Sequence, residues 1–440
     1  MLNFIAWPVN APESAEKCAR VSLSIRTGIL GSNFVAETTR EQQNPEAQHS
    51  CERIVATTAD ELASLRDDWL YLRNRHRCAA PDSDPDFFLR VLSNLGEESR
   101  PHVVIFYRAG RPCCGILGRY ARERIVSKLG YVRFKSPRLR TLTVVYGGFL
   151  SDGSPISRGA VHEYCQGLLR EGTVDALIFH HLGTDDEVAN ALIQKLRRKI
   201  NVVSHHEIRW LLDLVDPQTQ ERIVVNSRKT HSTFRRKDRK FVEHFGGAVE
   251  LRCFQDRADV DEFVRIADQV TARTYQAALA TGVQDTERWR TVLTALAEGN
   301  HFRGYVLTGG KEPIAYIAGS VLQQQFTLFA TSFLPEYRKL SPGTVVLNRS
   351  FDALASDGAV LFDFGSLFAE YKRLHATRTV EEQTVHVYGV GWRSTVAMCI
   401  DQITLSAATW LKKITISLGV LDGIKRRWRR RLEKIPSRRK

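Results

Sequence analysis

Val103-Val104-Ile105-Phe106-Tyr107-Arg108-Ala109-Gly110-Arg111-Pro112-Cys113-Cys114-Gly115-Ile116-Leu117-Gly118 reads as two β-strands around a tight turn. Branched and aromatic residues flank a break that holds glycine and ends at proline, which is a hairpin signal. The pattern returns at Tyr305-Val306-Leu307, with a turn through Gly309-Gly310 to Pro313 and then Ile317-Ala318-Gly319. Pro112 and Pro313 are 201 positions apart. Upstream, Ala59-Asp60-Glu61-Leu62 and Val260-Asp261-Glu262-Phe263 share that offset. A fixed offset across separate elements is the mark of an internal duplication.

Downstream the offset is 185. Strand Thr141–Phe149 answers to Phe326–Leu334, helix Val161–Leu169 to Val345–Leu354, and strand Val174–Phe179 to Ala359–Phe364. The change falls in one connection, Arg119–Arg140 in the first copy against Leu322–Gln325 in the second. More β-rich sequence closes each copy, Asn201–Leu214 and Thr384–Val390. Strand–helix–strand order implies a parallel crossover in a mixed sheet. The expected fold is α/β: two tandem mixed-sheet domains related by a pseudo-two-fold with a cleft between them, then a basic C-terminal helix. The expected boundaries are a loose leader over 1–51, a first domain over 52–220, a second over 221–392, and a tail over 393–440.

The chain has 440 residues, is 43% hydrophobic and 25% charged, and carries a formal charge of +14. These values exclude a collagen-like, wholly disordered or polytopic membrane protein. The charge is concentrated. Residues 228–240 hold seven basic side chains and one acid, residues 421–440 hold ten and two, and the rest of the chain is neutral. The basic balance therefore describes two short segments. Eight cysteines show no CxxC and no zinc spacing with histidine, so no metal is expected and the thiols read as packing groups, Cys113-Cys114 among them. Residues 1–20 lack a secretory signal, and the expected location is cytoplasmic.

Within the second copy, strand Phe326–Phe333 runs into Leu334-Pro335-Glu336-Tyr337-Arg338-Lys339-Leu340-Ser341-Pro342-Gly343-Thr344 and then a helix. Phe362-Asp363-Phe364-Gly365 and Tyr371-Lys372 follow, and Ser227-Arg228-Lys229 opens a basic helix upstream. A glycine at a helix start presents backbone N–H groups to an anion, and Arg338 and Lys339 add charge. An ordinary Pro-Gly helix start is the plainer reading of the same residues. Aligned at 185, the first copy has Asp152-Gly153-Ser154-Pro155-Ile156 there, without the aromatic and both basics. A donor site therefore belongs to the second copy.

Over roughly 52–392 this sequence resembles the GNAT acyltransferase superfamily. More narrowly it is similar to the tandem-domain CelD-like branch associated with cellulose and exopolysaccharide synthesis, itself related in fold to FemABX aminoacyltransferases. The resemblance implies an acyl-CoA-dependent N- or O-acyltransferase, with acetyl-CoA as co-substrate and a small-molecule or glycan acceptor such as a polysaccharide precursor. It implies that Tyr337, Arg338, Lys339, Ser341, Gly343 and Thr344 hold the coenzyme. It further implies that backbone N–H groups near Thr331 and Phe333 hold the thioester carbonyl and that Tyr371 protonates the thiolate. Ser341-Pro342 departs from the commoner loop, which has a glycine there; proline removes one donor. Asp363, alone among apolar strand residues, is either a base or orienting group, or a surface-facing or salt-bridged strand residue with Lys372 as its candidate partner. Glu370 and Glu336 are further base candidates.

Two other readings compete: transfer of an aminoacyl group from charged tRNA, as in FemABX enzymes, and a non-catalytic adaptor held to membrane or nucleic acid by its basic tail. Nucleic acid is disfavoured because no aromatic-interleaved RNA surface and no long helical-hairpin insertion are evident. His180-His181 and His205-His206 alternate across strands, so neither pair chelates by itself. No GxSxG context supports a serine nucleophile. From Ile403 to Leu432 apolar residues recur every three and four positions. The expectation is a helix over about 403–432, covered by the folded body as far as 421. Residues 421–440 are expected either to touch an anionic membrane peripherally or to end as a solvated basic segment.

Overall fold

The computed structural model describes residues 51–417 apart from 77, 94–97, 130–131, 200, 217–227, 279–280 and 367. The expected leader and the segment 421–440 lie outside the described residues. The first half runs β1 (Glu52–Ala56), α1 (Ala59–Ser64), α2 (Arg66–Arg75), α3 (Pro85–Leu92), β2 (Arg100–Arg108), β3 (Arg111–Glu123), β4 (Val126–Leu129), β5 (Val132–Lys135), β6 (Leu139–Ser151), α4 (Pro155–Arg170), β7 (Ala176–Gly183), α5 (Glu187–Lys199) and β8 (Asn201–Asp213). The second runs α6 (Arg228–His244), β9 (Val249–Phe254), α7 (Val260–Ala272), α8 (Tyr275–Ala278), α9 (Glu287–Glu298), β10 (Phe302–Gly309), β11 (Glu312–Leu322), β12 (Gln325–Phe333), α10 (Pro342–Ser356), β13 (Leu361–Asp363), α11 (Glu370–His375), β14 (Arg378–Tyr388) and α12 (Trp392–Ser417).

Local chemistry sets several of these ends. Thr58 and Glu61 close a capping box on α1. Asp84 caps α3 ahead of Pro85, and Ser154 caps α4 ahead of Pro155. The turn that joins β2 to β3 puts both Ala109 and Gly110 at positive φ, the backbone form that matches strand twist.

A single twelve-stranded sheet carries both halves, in the order β1-β2-β3-β6-β7-β14-β8-β13-β12-β11-β10-β9. Read from either edge, the elements repeat: edge strand, hairpin, third strand, parallel crossover strand. The pairs β6/β7 and β12/β13 are the parallel ones. The two tandem mixed-sheet halves share this one sheet and meet at a seam. The last strand of each half has changed places: β14 pairs with β7 of the first half, and β8 pairs with β13 of the second. β8 and β14 lie antiparallel along their length, from Arg378↔Leu211 to Tyr388↔Asn201. The halves are thus joined by continuous hydrogen bonding where a cleft was expected.

Helices cover both faces. In the first half α1, α2 and α3 pack Trp69, Leu72 and Phe88 on one face, and α4 and α5 pack Val161, Leu192 and Ile193 on the other. α3 also sends Phe87 and Val91 into the core of the second half. The long first-half connection forms the small hairpin β4–β5, which packs against α12.

α12 starts at Trp392, eleven residues before the expected start at 403. Its inner face is Ser394, Ala397, Asp401 and Thr404, all buried, with Met398 and Leu405 half-buried. Ile403 and Trp410 of the stripe expected to meet the body face the other way, 68% and 65% exposed, and Trp392 ahead of them is 69% exposed. The reason is a buried polar hub. Asp401, 1% exposed, accepts from His205 Nε2 (3.1 Å), His386 Nδ1 (2.7 Å) and the Tyr388 hydroxyl (2.9 Å) on one oxygen, and from Ser127 (2.8 Å) on the other. A carboxylate so held fixes the rotation of the helix, and the residues opposite it face outward. His205, His386 and Asp401 bring ligand-capable atoms within 4.8 Å of one another, joined here by hydrogen bonds.

Candidate active site

The site residues of the second half gather where β12 and β13 part. These strands pair only at Gln325↔Leu361, Phe326↔Phe362 and Thr327↔Asp363, while β12 continues to Phe333. A bulge at Phe329, between Gly319↔Leu328 and Ala318↔Ala330, bends β12 as it leaves. Beyond Thr327 and Asp363 the pairing stops: β12 runs on while Phe364 and Gly365 stay hydrogen-bonded to Trp210 of β8, and the space between these parting segments is the wedge. Thr331 stands on its β12 wall, its hydroxyl given to Tyr316 O (3.0 Å) and its carbonyl accepting from Gln276 (3.1 Å).

At the wide end, α10 begins. Ser341 takes the N-cap place at φ +57° without a side-chain cap. Gly343 packs on Phe333, and a Cβ there would come within 3.2 Å of the ring, so glycine lets the helix start sit on the strand end. Arg338 and Lys339 are exposed on the 3₁₀ turn Pro335–Leu340. Tyr337 donates to Glu312 Oε2 (2.7 Å), which raises its phenol pKa, and its ring lies 5.5 Å from that of Phe245, just after α6. α6 runs alongside α10, with Lys237 Nζ 3.5 Å from Thr344 Oγ1. Lys237 was visible in the sequence only as one charge of a basic run.

The first half answers with a shorter loop, Asp152–Ser154, between β6 and α4, where the second has Leu334–Ser341. The alignment at a constant offset is corrected here. Ser154 occupies the helix-capping place of Ser341, and Arg338 and Lys339 lie in a stretch that the first half lacks.

At the narrow end sits a buried polar cluster. Asp363 is 0% exposed and accepts from Arg209 Nη1 (2.5 Å), Gly365 N (2.7 Å) and Gln325 Nε2 (3.4 Å). Its ionic partner is Arg209 from the exchanged strand β8; the expected partner Lys372 instead donates to Ser366 O (2.7 Å). Burial pushes Lys372 down to about 8. Arg209 also donates to Glu382 Oε1 (2.6 Å) and stacks over Tyr146 at 4.2 Å. Burial opposes its charge, but Asp363, Tyr146 and Glu382 outweigh that and hold the guanidinium well above its usual pKa. Glu382 is pushed up by burial and brought below its usual value by His181 and Arg209. His181 Nδ1 lies 3.1 Å from Glu382 Oε2, on a left-handed residue at φ +52° where β7 bulges against β14.

Asp82, in the first half, is a further buried acid. Burial raises its carboxyl to about 8, opposed only by the charge of Arg209. In sequence it stands in a Pro-Asp-Ser stretch that looks like a surface turn, so nothing marked it. Tyr371 is half-buried on α11, its ring 6.1 Å from Phe364 and its carbonyl accepting from His375 Nδ1 (2.7 Å). Glu370 is exposed and paired with Arg373 (2.5 Å), which lowers its pKa. Glu336 is exposed and bound to Arg273. The structure therefore brings Thr331, Phe333, Tyr337, Gly343 and Thr344 to one wedge and Asp363 to its floor, and leaves Glu370 and Glu336 at the surface.

Residues 228–373 match the family model for an acetyltransferase (GNAT) domain. The matched stretch opens on α6 and stops in α11, short of the exchanged strand β14. A search of curated proteins finds no match. Solved structures of similar shape include the C-terminal domain assigned to a lysylphosphatidylglycerol synthetase of Agrobacterium fabrum (11% identity, 79% of this chain and 97% of that one, TM-score 0.47). FemX (10%, 68% and 90%, 0.46) and a tandem GNAT protein of the clavulanic acid pathway (14%, 77% and 100%, 0.44) are others.

Proposed function

We propose that the second half transfers an acyl group from coenzyme A to an amine or hydroxyl acceptor in the β12/β13 wedge. The observation that carries this reading is the GNAT-domain match over the residues that build the wedge, with an uncapped helix start and cations at its wide end. A helix start suits a pyrophosphate, and the lost Pro342 donor is offset by Arg338, Lys339 and Lys237. Bound there, acyl-CoA would supply a thioester carbonyl to be attacked and a thiolate to be released.

The chain's residues then divide the work. Backbone N–H groups of β12 along the wedge stabilise the charge that develops on the carbonyl oxygen. The acceptor loses a proton as its N–C or O–C bond forms. Tyr371 returns a proton to the sulfur as the C–S bond breaks. Asp363 is an orienting residue: both of its oxygens are engaged, and it holds Arg209 across the floor. The CelD-like resemblance makes a sugar or polysaccharide precursor the first acceptor class to test.

The test is calorimetric titration with coenzyme A and acetyl-CoA, followed by thiol release against a panel of amines and sugars. Binding that is lost in Arg338→Glu/Lys339→Glu, with turnover for at least one acceptor, supports the reading. Equal binding to that variant removes the loop assignment, and no binding by the wild type favours the adaptor.

A further inference from the structure

α12 carries an outward face that nothing in the described chain covers. Trp392, Val396, Cys399, Ile403 and Trp410 recur at helical spacing and are all exposed, opposite the buried Asp401. Asp401 is the sole acid between Trp392 and Ser417, so the outer face has no negative charge; Arg393 is exposed at its start, and in sequence Lys412 and Lys413 follow. In sequence the same spacing continues through Ile414, Leu418, Leu421, Ile424, Trp428 and Leu432, entering the segment with ten basic residues.

A second element lies beside it. The β4–β5 hairpin packs on α12 through the Ser127–Asp401 bond. On it, Val132 and Phe134 are exposed and alternate with exposed Arg133 and Lys135, with exposed Lys128 across the strand pair. No acid occurs between Arg124 and Arg140. The first half alone has this hairpin, so the duplicated fold does not need it.

We propose that α12 and the β4–β5 hairpin form one surface that binds an anionic lipid bilayer. The apolar stripe enters the headgroup boundary and the cations meet lipid phosphates. This chemistry selects among occupants. A second copy would bring like charge against like charge. A nucleic acid would satisfy the cations and leave two indoles and the aliphatic stripe against water. Among the described residues no helix is long and apolar enough to cross a membrane, which fits a helix lying along the surface.

The full chain is sedimented with phosphatidylcholine vesicles, with and without phosphatidylglycerol, at low and high salt. Two variants accompany it, Ile403→Glu/Trp410→Glu and Lys128→Glu/Arg133→Glu/Lys135→Glu. All five positions are exposed, and an unchanged thermal midpoint verifies the fold. The expected result is salt-sensitive binding to the anionic vesicles, weakened about tenfold or more by each variant. Wild-type binding that ignores lipid charge, or is absent, overturns the proposal. So does unchanged binding of Ile403→Glu/Trp410→Glu, which would assign attachment to the tail beyond 417. A wild-type dimer that this same variant dissociates would assign the stripe to self-association and overturn it as well.

Discussion

The guanidinium of Arg209, on the exchanged strand of the first half, lies 2.5 Å from the carboxylate of Asp363, the last β13 residue paired to β12. Through Glu382 the same guanidinium reaches β14, so one side chain ties three strands from both halves at the floor of the wedge. Replacing Arg209 with Met leaves two buried carboxylates without their cation, at a cost of about 3–5 kcal/mol. Urea unfolding should show that loss. Arg209→Lys should recover little of it, because a single ammonium cannot span both acids. A wild-type midpoint for Arg209→Met would mean that the seam is held by other contacts.

Lys237 should contribute to coenzyme binding although it lies far from the loop in sequence. Lys237→Ala is expected to weaken coenzyme A binding about threefold to tenfold, with no change in thermal midpoint. Gly343→Val should weaken it further, since its side chain forces Phe333 away from the helix start. Calorimetry on both variants separates lost charge from lost shape.

Asp82 gives a pH signature. Its folded-state carboxyl titrates near 8, above the unfolded value, so between about pH 4 and 8 the folded chain holds a proton that the unfolded chain has lost. Stability attributable to Asp82 is therefore fully present in acid and declines as the pH rises through that window. Asp82→Asn should flatten this decline and be more stable than wild type at pH 8, by up to a few kcal/mol. Unfolding midpoints from pH 5 to 8.5 give the answer, and parallel curves for the two proteins would remove Asp82 from the account.

Asp401→Ala should loosen α12. Hydrogen bonds from His205 and His386 hold this carboxyl well below its usual range despite burial, so its contribution is complete above that range and is lost as the pH falls below it. The variant leaves four donors without an acceptor and should cost about 2–4 kcal/mol. Limited proteolysis should cleave ahead of Trp392 in the variant and spare the wild type.

Particular residues show what was legible. The hairpins at Val103 and Tyr305 could be read because alternation, glycine and proline act over a few residues. The exchange of β8 and β14 could not, because the same alternating pattern satisfies a strand beside β7 or beside β13. Loop length misled where two serines, Ser154 and Ser341, take the N-cap places of equivalent helices at the ends of unequal loops. Periodicity revealed the stripe through Ile403 and Trp410 but is silent on which face docks. That choice belongs to Asp401 and to histidines 196 and 15 positions away in the chain.

The exchanged strands also set a timetable for synthesis. β7 ends at Gly183, but its permanent neighbour β14 does not begin until Arg378. At roughly 5–20 residues per second, about 10–40 s separate the two at the ribosome. Throughout that interval the edge of β7 that β14 will cover has no lasting partner, and that open edge is where aggregation during synthesis would begin.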